Sequence, residues 1–112
     1  MDIQNHKTGA VIVVALKGRM DAGTSKAVED HLLKLIEGGE RKLVVDFAQL
    51  DYISSVGLRV LILAQKKSKP LGGLVGVCSL QPAIKQVFDV AGFTQLFKVF
   101  PNRDEAVAGM GA

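Results

Sequence analysis

With 112 residues, 48% of them hydrophobic, the chain can build one domain around its own apolar core, and its length leaves a second domain unexpected. A net charge of +3 with acids and bases interspersed, no tryptophan, and Lys66, Lys67 and Lys69 as the only basic cluster argue against a nucleic-acid partner, because no aromatic side chains alternate with basic ones. The strongest apolar run, Val11 to Leu16, is far shorter than the roughly 20 residues that span a bilayer, and a basic-then-apolar leader is not expected.

The single cysteine, Cys78, lies among Leu74, Val75 and Val77 and reads as a small core residue in a reducing compartment. A cytoplasmic protein without membrane insertion is the expectation.

Met1 to His6 is predicted to pair as a strand with Val11 to Lys17 across a turn containing Gly9. From Thr24 to Glu37, Val28, Leu32, Leu35 and Ile36 recur at helical spacing, and Gly38 stops the helix. Leu43 to Phe47 is too apolar to alternate, which suits an interior strand. A second helix is expected over Ser55 to Lys67, ended by Pro70 and Gly72-Gly73, and Lys66, Lys67 and Lys69 then complement its negative end. Leu74 to Cys78 is a further strand. Pro82 opens a third helix that ends at Gly92, and Leu96 to Phe100 is the last strand. Asn102 with Glu105 resembles a capping pair for a short fourth helix, and residues 109–112 are expected to fray. The fold class is therefore α/β: one domain over residues 1–112, with a mixed, mainly parallel sheet of four to five strands and about four helices.

The stretch from Val44 to Arg59 places two serines at a loop-to-helix junction. Ser54 suits the N-cap, its hydroxyl able to accept from the N–H of Val56 or Gly57. Ser55 is then left at the first helical position, facing outward. A phosphate there would add about −1.5 to −2 charges beside free N–H groups and the positive end of the helix dipole. Ser55, Arg59, Ile62 and Lys66 fall at i, i+4, i+7 and i+11 on one outward face, with Leu58, Val60, Leu61, Leu63 and Ala64 on the inward arc. Serines at helix starts are ordinary, so the residues alone favour a plain cap over a modification site.

From Asp46 to Leu58 the chain resembles the STAS signature, in which a strand-ending Asp leads through a loop to Asp-Ser-(Ser or Ala)-Gly-Leu at a helix start. Gly18-Arg19-Met20-Asp21 resembles the family's Gly-x-x-Asp before the first helix, Val90-Ala91-Gly92-Phe93 with Leu96-Phe97 its Gly-Leu/Phe segment, and Glu105-Ala106-Val107 its closing Glu-Ala. The resemblance implies a STAS-like fold and the function of an anti-sigma factor antagonist, which is not an enzyme. It also implies that Ser55, with Ser54 as fallback, is phosphorylated by an anti-sigma factor that is an ATP-dependent serine kinase. The unphosphorylated form would bind that kinase and release its sigma factor, and a serine phosphatase is a further implied partner. Asp21, Ser54, Gly57, Arg59, Ile62 and Lys66 are the candidate partner-binding residues. Two positions depart from the pattern: Ser54 stands where Asp is usual, and Val56 follows Ser55 in place of Ser or Ala.

Asp21 and Asp46 match acidic family positions, although either suits a turn brace equally. His6 and His31 have no ligand or nucleophile at catalytic or metal-binding spacing, and Gly72, Gly73 and Gly76 form no phosphate cradle. No cofactor or metal is expected. A receiver domain with Asp46 as acceptor lacks the paired acids that hold magnesium. The competing reading is a non-phosphorylated STAS scaffold subunit of a lipid-transport or stress-signalling complex.

Overall fold

The first two strands, β1 (Asp2–Thr8) and β2 (Val11–Met20), form an antiparallel hairpin. Gly9 takes the left-handed conformation (φ 58°) that its tight turn demands. The structure is a computed structural model that describes residues 1–111. After β2 come α1 (Ser25–Glu37), β3 (Lys42–Ile53), α2 (Ser55–Ser68), β4 (Leu74–Cys78), α3 (Pro82–Val90), β5 (Lys98–Phe100) and α4 (Arg103–Gly109). Strand order follows chain order, β1-β2-β3-β4-β5, and every pair after the hairpin is parallel.

Each parallel step moves one strand in the same direction, so right-handed crossovers place α1, α2 and α3 on one face. That face holds the main core: Ile12, Val14 and Leu16 of β2, Leu43, Val45 and Phe47 of β3, and Val75 and Val77 of β4, against the helices. Phe88 of α3 meets Phe47 and Phe93 edge-on, with ring centroids 5.7 and 5.6 Å apart, a favoured aromatic geometry. On the opposite face, Val11, Val13, Val44 and Cys78 are covered by Ala106 and Met110. Double coverage explains why β3 reads as a continuous apolar run.

Several expectations are corrected. β2 continues to Met20 and β3 to Ile53, well past Lys17 and Phe47. Register shifts between Ala15 and Lys17 and between Gly18 and Arg19 accommodate the longer strands. These irregularities put Phe47, Leu50 and Ile53 all inside, a three-residue spacing that alternation does not anticipate. β5 begins at Lys98 instead of Leu96, because Phe93–Gln95 forms a 3-10 turn whose carbonyl at Phe93 accepts from the N–H groups of Leu96 and Phe97. Residues 109–111 are held: Met110 is buried, and Lys42 Nζ donates to the Gly111 carbonyl at 3.0 Å. Ala112, the rest of the expected fraying tail, lies outside the described residues.

Candidate functional site

β3 delivers its last residue, Ile53, into the core and turns directly into α2. The Ser54 N–H donates to the Met20 carbonyl at 2.8 Å, which ties the start of α2 to the end of β2. Ser54 Oγ accepts from the Gly57 N–H at 3.3 Å, and its carbonyl accepts from the Leu58 N–H at 3.0 Å. The N-cap expected at Ser54 is therefore formed, and its hydroxyl is occupied. Ser55 follows at the first helical position, exposed, with no side-chain hydrogen bond among the described residues. The N-cap role falls to one serine and leaves the other free.

Gly57 sits against the core. A Cβ there would lie 2.8 Å from Ile53 Cγ1 and 3.0 Å from Met20 Cγ, so the first turn of α2 approaches the sheet more closely than any side chain permits. Arg59 and Lys66 are exposed, and neither forms an ion pair among the described residues. Ile62, expected to be the exposed apolar residue of this face, is half-buried against the main core. The inward arc also differs: Gly57, Val60, Leu61, Ala64, Gln65 and Ser68 are buried, whereas Leu58 and Leu63 are only partly so.

Asp21 lies in the β2–α1 loop beside this junction. Its Oδ1 accepts from the N–H groups of Gly23 at 2.9 Å and Thr24 at 3.2 Å, which braces the turn into α1. Asp46 is 4% exposed; its Oδ2 accepts from Arg103 Nε at 3.0 Å and its Oδ1 from the Ala48 N–H at 3.0 Å. The Arg103 guanidinium thus locks α4 to the middle of β3. Burial pushes the neighbouring Cys78 thiol up to about 12, so it stays protonated and unreactive at neutral pH.

Two structural residues escaped the sequence reading. Arg103 is a cation in the first turn of a helix, where the dipole disfavours it, and that misplacement was the available sign of an anionic partner. Gln65 is polar on an apolar arc: its Oε1 accepts from the Val75 N–H at 2.9 Å and its Nε2 donates to the Leu96 carbonyl at 2.9 Å. No helix among the described residues is long and apolar enough to cross a membrane.

Comparison with known proteins agrees with this architecture. BtrV of Bordetella bronchiseptica, named provisionally as an anti-sigma factor antagonist, is 33% identical over 108 residues, covering 96% of this chain and 93% of its own length. The crystal structure of an anti-sigma factor antagonist from Mycobacterium paratuberculosis superposes with a TM-score of 0.90 at 24% identity, over 99% of this chain and 94% of that one. SpoIIAA, the Bacillus cell fate determinant, superposes in its phosphorylated form with a TM-score of 0.76 at 17% identity, over 96% of this chain and 97% of that one. The STAS domain family model matches residues 2–106, and with the strand order, the capped junction at Ser54 and these relatives it shows that the chain belongs to the STAS domain family.

Proposed function

We propose that this protein is an anti-sigma factor antagonist, a cytoplasmic, non-enzymatic binding switch set by phosphorylation of Ser55. The observation that carries the reading is the division of labour at the start of α2: Ser54 spends its hydroxyl on the cap while Ser55 holds a free, exposed one. The names of the relatives supply the class of partner, and SpoIIAA, which shares the fold, has been solved phosphorylated and unphosphorylated.

In this reading the unphosphorylated protein binds an anti-sigma factor of the ATP-dependent serine kinase type through Ser55, Arg59, Ile62 and Lys66, freeing the sigma factor. Asp21, Ser54 and Gly57 shape that surface from behind, through the turn, the cap and the close approach to the sheet. The kinase transfers a phosphoryl group from ATP to Ser55 Oγ, and a serine phosphatase resets the switch. The phosphate sits beside free helix N–H groups, so the fold accepts it. An interface does not, because a hydrated dianion at its centre must lose its water.

Incubation with the kinase and ATP followed by phosphopeptide mapping should place the label on Ser55, and Ser55→Asp should bind the kinase roughly a hundredfold more weakly, the effect of about 3 kcal/mol. Label confined to Thr24 or Ser68, or equal binding by wild type and Ser55→Asp, would refute the assignment.

A further inference from the structure

Between α1 and α2 runs a shallow groove of about 400 Å³. Its lining is apolar at Val56, Ile62 and Leu63, with Arg59 and Lys66 on the α2 side and Glu29 on the α1 side. Val56, next to Ser55, keeps 38% of its surface exposed, more than a valine with a purely internal role requires. The charges along the groove are not balanced within the chain. Glu29 shares Lys26 (3.1 Å) with Asp30 (2.9 Å), while Arg59 and Lys66 have no carboxylate partner among the described residues. The lining sets Arg59 and Lys66 against Glu29 alone, so its net charge is positive. From Val56 to Lys66 the groove follows α2 for about 15 Å, the length of roughly three helical turns.

We propose that this groove seats an amphipathic helix of the anti-sigma factor, its apolar side chains on Val56, Ile62 and Leu63 and its carboxylates facing Arg59 and Lys66. The inference rests on the function proposed above and adds the chemistry of the partner surface: an apolar stripe flanked by acids. A helix laid against two others fits by ridges and grooves, and positive rims select acidic occupants by complementarity. The same arrangement gives the switch an electrostatic component. Ser55 borders the Val56 end of the groove, so a phosphate there confronts the carboxylates of the bound helix, and repulsion adds to the desolvation penalty.

The test is calorimetric titration of the purified anti-sigma kinase against wild type, Lys66→Glu and Leu63→Glu, at low and high salt. Lys66→Glu, on an exposed position that leaves folding intact, should bind about tenfold more weakly than wild type, as expected for a reversed interfacial charge. Wild-type affinity should fall with added salt, and that of Lys66→Glu should fall less, because screening acts on the attraction the variant has lost. Leu63→Glu, checked for folding by its thermal melt, should bind more weakly still. If wild type binds and both variants match it within about twofold, or if salt leaves wild-type affinity unchanged, the groove is not the seat although the function stands. Failure of wild type to bind the kinase at all overturns the functional reading and the occupant together. Sedimentation showing wild-type dimers that Lys66→Glu dissociates would assign the groove to a second copy and overturn the proposal.

Discussion

Gly57 and Ser55 lie two residues apart and obey opposite constraints. The space for a Cβ at Gly57 is already taken by Ile53 and Met20, both buried, so neither can swing away cheaply. Gly57→Val should therefore destabilise the fold by about 2 kcal/mol, as overpacking in a dense interior does. Ser55→Asp, at an exposed first-turn position where acids are favoured, should change stability by less than about 1 kcal/mol. Urea denaturation of both variants checks the contrast, and equal midpoints for Gly57→Val and wild type would remove the packing argument. Ser54 as cap and Ser55 as the free hydroxyl were legible in the sequence because capping depends on a few consecutive residues. The pairing of Asp46 with Arg103 was not, because it joins positions 57 apart through tertiary folding alone.

At the scale of elements, α2 does more than carry the serine. Gln65 reaches from its buried side to Val75, whose N–H donates to Oε1 at 2.9 Å, and to the Leu96 carbonyl at 2.9 Å. One side chain thereby fastens the helix to the start of β4 and to the turn before β5. Gln65→Leu keeps the volume roughly constant but strips the Val75 N–H of its acceptor, and an unsatisfied buried donor costs about 1–3 kcal/mol. A drop of that size in chemical denaturation is expected; a neutral outcome would mean that the helix and strand adjust to satisfy the amide otherwise. The helices were largely readable because their apolar spacing is regular and their ends carry Gly38, Pro82 and Asn102. The extension of β3 was not, because its irregular register replaces alternation with the spacing of Phe47, Leu50 and Ile53, and polar Gln49 and Asp51 between them resemble a loop.

Across the whole molecule the sheet is covered unequally: three helices protect one face, and the other depends on one short helix. Ala106 of α4 and Met110, which caps it, are buried against Val11, Val13, Val44 and Cys78, with Val107 partly buried beside them, and Gly76 admits Met110 because a Cβ there would lie 3.3 Å from its Sδ. A chain ending at Pro101 should bare these residues, break the Asp46–Arg103 pair, and lose roughly 5 kcal/mol, a large part of an ordinary domain's stability. Cys78 provides the readout. In the intact protein burial raises its thiol from 9.0 to about 12, so at pH 8 it should resist alkylation except through unfolding. Between those two values the unfolded chain releases a proton that the folded one retains, so folding stability should decline with rising pH, by up to about 1.4 kcal/mol per unit. Truncation should lower the melting temperature and speed alkylation at pH 8 together, since both follow from uncovering the same face. A truncated chain that melts with wild type and leaves Cys78 as slow to react would show that the second face of this sheet is closed by something other than α4.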